Sequence, residues 1–313
     1  MGALIGALAP RLVQAAFVAL LVGVVCFAIV ELLPGDQAYR IASARYGEDM
    51  ATGKAAEAVR AELGLDRPWP LRLASWLGGI ATFDLGVSLV SGEDVAVEIR
   101  HQFGATLGLS LLALALSAAV GIPLGIAMAL RGGALDAGGL VVAAALSATP
   151  AYLIGLGLML LIAVQWGLLP AAGYDNAAAW PLPAATLALG LAAMSMRVTR
   201  DAAARVLARA DTHFARTKGL PESAVLRRHV LRNAAVPVVA YLGVQLVWLV
   251  EGVVVVESLF SWPGIGHALI HAVIARDVPM LQGTALTMGL LFVALNAAVD
   301  LLCLAIDPRG RRA

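Results

Sequence analysis

Charged residues are scarce in this chain. Only 14% of its 313 residues are Asp, Glu, Lys or Arg, whereas 60% are hydrophobic. Soluble domains carry about 25% charged and about 45–50% apolar residues, so this composition excludes an ordinary water-soluble protein and indicates a membrane protein with several spans. The formal net charge of +1 identifies no partner by itself. The distribution of that charge along the chain is more informative.

The sequence also lacks the motifs of common enzymes. It has no GxxxxGK[ST] loop, so we expect no ATP binding by that route. HExxH and GxSxG motifs are absent, and Asp300 has no second aspartate within an apolar run with which to form a catalytic pair. We therefore expect no catalytic residue and no cofactor in this chain, and we predict that it is not an enzyme.

Potential metal ligands are few. The two cysteines, Cys26 and Cys303, lie in separate apolar runs, which predicts neither a disulfide framework nor a metal site. His267 and His271 are four residues apart and would share a helix face. Two ligands alone make a poor site, and no Cys or acid completes them at suitable spacing. We expect no metal centre.

Six apolar runs are interpreted as membrane spans, and the first, of 22 residues, is long enough to cross a bilayer of about 30 Å hydrocarbon thickness as a helix. They cover residues 12–33, 103–130, 137–166, 181–196, 234–256 and 283–306. This pattern predicts an all-α membrane protein with six transmembrane helices. Pro123 and Pro150 fall inside long runs and are expected to kink them. The pairs Gly104-x3-Gly108 and Gly121-x3-Gly125 have the spacing that lets helices approach closely, although glycine is also simply frequent in membrane helices.

The charges are segregated between two polar segments. Residues 34–100 contain seven basic and ten acidic residues, whereas 197–232 contain nine basic and three acidic ones. Because cytoplasmic loops carry the excess of Lys and Arg, 34–100 is predicted to be external and 197–237 cytoplasmic, with both termini in the cytoplasm. The chain is thus interpreted as a single transmembrane domain, 1–313, with core spans over 103–306.

The cytoplasmic segment 197–237 has a specific internal pattern. Residues 201–218 contain no Pro or Gly and are rich in Ala and Arg, which predicts one helix with Arg205, Arg209 and His213 on one face. Gly219 is expected to end that helix. Pro221 and Glu222 then open a second helix, with Arg227, Arg228 and Arg232 gathered toward its other end.

Several motifs resemble one known family. The run Ala215-Arg216-Thr217-Lys218-Gly219-Leu220, followed by Arg228-His229, Leu231-Arg232-Asn233-Ala234 and Pro237, resembles the cytoplasmic EAA loop of ABC-importer permeases, in the dipeptide/oligopeptide/nickel branch. Thr217 stands where that branch usually has Ala. Leu32–Asp36, Leu63–Pro68 and Asp84–Ser88 also resemble this branch, as do Glu257–Gly266 and Arg276-Asp277-x-Pro279.

The resemblance implies a type I ABC-importer transmembrane domain with a long external segment after the first helix. It implies a heterodimer with a second, homologous permease, two ABC ATPase subunits that bind ATP and Mg, and an external solute-binding protein. The chain would lie in the bacterial cytoplasmic membrane, in contact with lipid and not with nucleic acid. Implied substrates are dipeptides or longer peptides, with glutathione, opines or nickel chelates as alternatives.

The resemblance also implies roles for particular residues. The ATPase would be contacted by Ala215, Arg216, Thr217, Lys218, Gly219, Leu220, Arg228, His229 and Asn233. An external gate or binding-protein contact would involve Glu257, Phe260, Trp262, Pro263, Gly264 and Asp277. Glu251 departs from the family pattern, which usually has a small residue, often Gly, at this place. Apart from the resemblance, an acid within the fifth apolar run would either attract a cationic part of the substrate or serve helix packing as a protonated or hydrogen-bonded acid.

Two other classes of protein remain open on the sequence alone. A self-contained secondary transporter would use intramembrane charges such as Glu251, but it has no need of the glycine-ended loop at 197–237. An intramembrane hydrolase would need a nucleophile and a base in neighbouring spans, which the motifs do not supply. Co-purification of an ATPase with the chain distinguishes the importer from both.

Overall fold

The structure is a computed structural model that describes residues 2–306 except Leu33 and Arg276. The side chains of 2–8, Ala44, Glu48, Glu251 and 304–306 are outside this description. The described residues are almost entirely helical, with one isolated bridge between Val87 and Asp94. The helices are α1 Gly2–Leu32, α2 Gln37–Tyr46, α3 Gly53–Leu63, α4 Trp69–Thr82, α5 Val95–Arg131, α6 Gly133–Ala148, α7 Ala151–Leu158, α8 Pro181–Leu207, α9 Ala210–Thr217, α10 Glu222–Val225, α11 Arg232–Gly252, α12 Val254–Leu259, α13 Ile265–Ile274 and α14 Val278–Ile306.

Five stretches of helix in the described chain are long and apolar enough to cross a membrane. They are Ala9–Leu32, Val95–Arg131, Ala177–Leu207, Glu222–Val250 and Val278–Cys303. A further pair, Gly133–Ala148 and Ala151–Gln165, passes the same test together but is bent by 99°. Counted as one broken span, the pair gives the six spans that the apolar runs predict. The bend falls at Pro150, as proline sterics predict, whereas α5 continues through Pro123.

The described chain divides into two compact units. The first contains Met1–Thr106 and Pro263–Ala294. In this unit α4 lies against α1, and the indole Nε1 of Trp76 donates a hydrogen bond to the carbonyl of Gly23 at 3.1 Å. Gly23 provides the room for this contact, because an added Cβ would lie 2.8 Å from Ile80 Cδ1. The buried apolar core of the unit is formed by Leu85, Val95, Ile99, Ile265, Ala268, Ala272, Met280 and Leu286.

The second unit contains Leu107–Trp262 and Leu295–Ala313. Here α5 packs closely on α8 through one of the two glycine pairs. A Cβ on Gly121 would lie 2.9 Å from the carbonyl oxygen of Ala192, and one on Gly125 would lie 2.5 Å from that of Met196. Gly104 has nothing within 4 Å of such a Cβ. The close approach predicted from glycine spacing is therefore confirmed for the second pair.

A buried polar chain links three helices of this unit. Ser117 Oγ on α5 lies 3.1 Å from Ser195 Oγ on α8, and Ser195 Oγ donates to Gln245 Oε1 on α11 at 2.9 Å. The Gln245 amide also donates to the Leu191 carbonyl at 3.0 Å. All three side chains are buried, so these hydrogen bonds fix α8 relative to α11, the two helices that flank the loop 208–231.

Candidate functional site

The helix predicted over 201–218 is interrupted. α8 ends at Leu207, and α9 begins at Ala210 after Arg209, whose backbone is extended at φ −74° and ψ 146°. The prediction of one continuous helix was wrong, and Arg205, Arg209 and His213 do not share one continuous helix face. The break produces a separate short helix that is set off from the end of the membrane span.

Local side-chain hydrogen bonds account for the break. The guanidinium of Arg209 makes two 3.0 Å contacts with the carboxylate of Asp211, which also accepts the backbone N–H of Thr212 at 3.0 Å. The buried hydroxyl of Thr212 donates to the carbonyl of Val206 at 2.8 Å. Asp and Thr thus offer the backbone partners that replace helical ones. Arg209 also holds the pKa of Asp211 below its usual value, so the carboxylate remains an acceptor across the physiological range.

α9 presents most of its surface to solvent. Only Thr212 and Ala215, three residues apart, are buried on its inner side. Phe214 is 60% exposed, and the Nζ atom of Lys218 lies 4.7 Å from the centroid of its ring. An aromatic side chain with a cation over its face is a common anchor in protein interfaces. α9 therefore exposes the apolar ring of Phe214 beside the positive charge of Lys218.

The turn after α9 is closed by glycine and by an ion pair. Gly219 has φ +78°, a left-handed conformation that confirms its predicted place just beyond the helix end. Its N–H donates to the carbonyl of Arg216 at 2.9 Å, and Leu220 N–H donates to that of Ala215 at 3.3 Å. Arg216 then binds Glu222 through two contacts of 2.6 and 3.2 Å. The turn is thus held at both ends.

The second helix is not separate from the membrane span. α10 passes through a π-helical stretch, Leu226–Leu231, directly into α11. The prediction that Arg227, Arg228 and Arg232 gather at the end of a short helix was therefore wrong, because the helix continues for twenty residues beyond Arg232. Val225 and Val230 are fully buried and anchor this stretch.

The nine residues predicted to contact the ATPase occupy two neighbouring segments. Arg216, Thr217, Lys218 and Gly219 are exposed on α9 and its turn, whereas Ala215 is buried and Leu220 is half-buried. Arg228, His229 and Asn233 lie on the helix that follows. There the Asn233 amide donates to the His229 carbonyl at 2.7 Å.

The predicted gate residues of the second unit are buried. Glu257, Phe260 and Trp262 are at most 1% exposed. The Trp262 ring meets Trp180 and Tyr174 edge to face, with centroids 4.7 and 4.8 Å apart, and these two residues belong to the connector between α7 and α8. The Phe260 carbonyl accepts the N–H of Gly173, in the same connector, at 2.9 Å. These contacts hold that connector to the end of α12.

The predicted gate residues of the first unit begin two helices. Gly264 caps α13, which Pro263 precedes, and the N–H of Ile265 donates to the buried hydroxyl of Thr106 at 2.9 Å. Asp277, 3% exposed, accepts the N–H of Met280 at 3.2 Å at the start of α14. It also accepts the buried hydroxyl of Ser88 at 2.5 Å, which ties the segment between α4 and α5 to α14.

Ser88→Ala is expected to destabilise the first unit by about 1.5–3 kcal/mol, because a buried carboxylate loses a charge-assisted hydrogen bond. Thermal unfolding in detergent measures the loss, and limited proteolysis of the 84–94 segment should accelerate with it. Ser91→Ala is the matched control, since the Ser91 hydroxyl contacts Glu98 at an exposed position, and it should change stability by less than about 0.5 kcal/mol. Equal effects of the two substitutions would contradict the role of Asp277.

Two other predicted features have different outcomes. Glu251 lies in α11, but its side chain is outside the described residues, so its part in a substrate pathway stays a prediction. The rings of His267 and His271 share a face of α13, with centroids 4.4 Å apart. Within the part of the chain that the structure describes, no three His, Cys, Asp or Glu side chains come together as a metal site would require.

Sequence reasoning missed the residues that determine where α9 begins and which of its side chains are exposed. Asp211 and Thr212 create the helix start at Ala210, and an Asp-Thr pair after Arg209 is a recognisable start signal in retrospect. The exposure of Phe214 had no signal in the sequence, because it depends on which side of α9 the buried Thr212 and Ala215 occupy.

Long apolar helices, one of them broken, and a short amphipathic helix set between two spans are typical of a polytopic membrane protein. Residues 121–312 match the family described as the binding-protein-dependent transport system inner membrane component. The chain belongs to this family.

Curated relatives extend the match over nearly the whole chain. A protein of Brucella abortus (strain 2308) named as a peptide transport system permease is 38% identical over 96% of this chain and 97% of its own length. The glutathione transport system permease GsiC of Pectobacterium atrosepticum is 39% identical over 93% of this chain and 94% of its own length. The chain is thus an inner-membrane permease subunit of an ABC importer.

Solved structures agree on the fold. The MetNI methionine ABC transporter in an inward-facing form matches with a TM-score of 0.56 and 15% identity, over 67% of this chain and 96% of the other. An amino acid ABC transporter solved with histidines matches with a TM-score of 0.50 and 17% identity, over 66% and 92%. At this identity the likeness concerns architecture alone, and that architecture is the type I importer transmembrane domain.

Proposed function

We propose that this chain forms half of a pathway for short peptides and is driven by an ATPase that docks on α9. The relatives named above carry peptide and glutathione in their names, and glutathione is itself a tripeptide. Short peptides are therefore the substrate class we favour over the nickel chelates and opines that the sequence left open.

The observation that carries the coupling proposal is the exposure of α9. Its inner side is anchored by Thr212 and Ala215, while Phe214 and Lys218 project outward. α8 leads into this helix, and α11 continues from the turn that follows it. A push on α9 would therefore reach both spans, which Gln245 and Ser195 join in the core. Such an arrangement transmits motion because packed helices shift as bodies.

The partners follow from this arrangement. The segment 197–237 would face the cytoplasm, as would both termini, and its positive charge supports this orientation. Two ATPase subunits would bind ATP and Mg and hydrolyse the nucleotide, so this chain would hold no cofactor and perform no catalysis. A second homologous permease would complete the pathway, and an external binding protein would deliver the peptide.

Phe260, Trp262 and Asp277 are buried. A role in an external gate therefore suits them better than direct contact with a binding protein. Trp262 and Phe260 hold the connector between α7 and α8, and Asp277 holds the segment between α4 and α5. Movement of α12 or α14 would thus move an external connector. The binding protein would act on those connectors, and the gate would respond.

Arg216→Glu is the experiment that tests the coupling proposal. The reversed charge faces Glu222, opens the turn after α9, and should reduce the amount of ATPase that co-purifies with the importer at least about tenfold, or about 1.4 kcal/mol. ATP-dependent uptake of a labelled dipeptide into proteoliposomes should fall with it. The double variant Arg216→Glu/Glu222→Arg restores the ion pair and should recover part of the binding.

Arg100→Glu is the control, since this exposed arginine lies at the start of α5, in the segment predicted to be external. It should leave ATPase binding unchanged. Uptake of a nickel chelate or an opine in place of a dipeptide by the same proteoliposomes would refute the substrate class but not the coupling. Full ATPase binding by Arg216→Glu would refute the coupling.

A further inference from the structure

Two cavities of the first unit share part of their lining. Their volumes are about 630 and 590 Å³, within the range of small-molecule sites. The residues that line both are Val30, Gln37, Ile41, Val278 and Gln282. The two cavities therefore adjoin one another at the end of α1, the start of α2 and the start of α14, and we call this region the crevice.

The first cavity is apolar and is lined in part by the second half of the span Ala9–Leu32. Its walls include Cys26, Ile29, Leu269, Val273, Leu281 and Ala285. Cys26 is six residues before the end of the span Ala9–Leu32, which places it about 9 Å below that end. A cavity with such walls at this depth suits a hydrocarbon chain.

Arg40 is the cation that the described part of the chain places in the lining of the apolar cavity. Arg40 donates to the carbonyls of Pro34 at 2.9 Å and Val30 at 3.4 Å, and no carboxylate of the described residues forms an ion pair with it. Neighbouring arginines differ, since Arg45 pairs with Glu62 and Arg72 with Glu31. A guanidinium has five N–H donors, so Arg40 keeps capacity for a phosphate.

The second cavity is charged. Three arginines, Arg45, Arg67 and Arg72, line it together with Glu31, Glu62 and Asp84. The Nε atom of Arg72 is buried and has no hydrogen-bond partner among the described residues. A buried donor without a partner is costly, so it marks a place where a further acceptor would be stabilising.

We propose that an anionic phospholipid occupies this crevice. Its acyl chain fills the apolar cavity, its phosphate binds Arg40, and its polar head extends toward the charged cavity. The apolar walls suit the acyl chain, and the Arg40 guanidinium, which keeps N–H donors beyond its two carbonyl contacts, suits the phosphate.

Native mass spectrometry of the assembled importer in mild detergent tests the proposal, with phosphatidylglycerol and phosphatidylethanolamine added in equal amounts. One phosphatidylglycerol should be retained in preference. Arg40→Gln should weaken its retention at least about tenfold, which corresponds to about 1.4 kcal/mol. Arg40→Lys should weaken it less, and Ala285→Phe, which fills the apolar cavity without changing charge, should also displace the lipid.

Cys26 supplies a second readout that does not depend on activity. In a Cys303→Ser background, phosphatidylglycerol should protect Cys26 from a small thiol reagent, and Arg40→Gln should remove that protection. Arg100→Gln, an exposed arginine outside both cavities, should match the wild type in both assays.

Three results would overturn the proposal. One is equal retention of phosphatidylglycerol by the wild type, Arg40→Gln and Ala285→Phe. Another is equal retention of phosphatidylethanolamine by the wild type, which would remove the preference for an anionic head group. The third is a short cross-link from Cys26 to a partner subunit, which would put protein in the cavity.

Discussion

Gly125→Ala is expected to lower the stability of the second unit strongly. The added Cβ would lie 2.5 Å from the Met196 carbonyl oxygen, 2.8 Å from Thr199 Cβ and 3.0 Å from the Arg200 backbone nitrogen. Two of these are backbone atoms of α8, which cannot rotate away. Overpacking of this kind costs about 1–3 kcal/mol, and we expect the upper end because the backbone itself must move.

The measurement is thermal unfolding of the purified importer in detergent, with the yield of monodisperse protein beside it. Gly104→Ala is the matched control, because the same sequence spacing there leaves nothing within 4 Å of the new Cβ. It should be neutral or slightly stabilising, since Ala favours helix over Gly by up to about 1 kcal/mol. If both alanines lower the melting temperature equally, the α5–α8 contact is not what sets stability.

Phe214→Ala is expected to weaken binding of the ATPase by about 30-fold or more. Central aromatic anchors of interfaces contribute about 2 kcal/mol or more when truncated, and Phe214 is the exposed aromatic of α9. The fold should be unaffected, because the side chain is 60% exposed. Titration of purified ATPase onto the permease complex in nanodiscs gives the affinity, and melting temperature reports the fold.

Phe83→Ala is the control for this experiment. Phe83 is also highly exposed, at 77%, but lies at the end of α4 in the segment predicted to be external. It should leave the ATPase affinity unchanged. An equal affinity for both variants would mean that the ATPase does not contact the outer face of α9.

Composition and periodicity were sufficient to predict most of the architecture. The apolar runs gave the spans because a helix needs about 20 such residues to cross a bilayer. Gly219 predicted the end of α9, because the left-handed backbone conformation just beyond a helix favours glycine. Pro150 predicted where the helix bends. The sequence could not predict the bend angle of 99°, because that angle depends on the residues that pack around the break.

The helix boundaries within the loop 208–231 could not be predicted from composition and periodicity. Ala and Arg favour helix on average, so the helix propensity of 201–218 concealed the break that Asp211 and Thr212 impose through four local hydrogen bonds. The continuation of α10 into α11 was missed because Pro221 and Glu222 mark a helix start but carry no information about where that helix ends.

The sequence also could not predict which helices pack against each other. Gly104-x3-Gly108 and Gly121-x3-Gly125 have the same spacing, yet only the second pair approaches another backbone closely at both positions. The difference depends on which helix lies opposite. For the same reason, the resemblance of 257–266 to a family motif could not reveal that Trp262 is enclosed by Trp180 and Tyr174.

The break between α6 and α7 has a consequence for hydration. α6 has sixteen residues, so the break lies about 24 Å from its start, within the thickness of a bilayer. Thr149 and Pro150 are exposed there. The N–H and hydroxyl of Thr149 donate to the carbonyl of Ala145, but Pro150 has no N–H with which to continue the helical hydrogen bonds. Hydrocarbon cannot solvate bare peptide groups. We therefore expect water molecules or a polar neighbour to contact the backbone at this break.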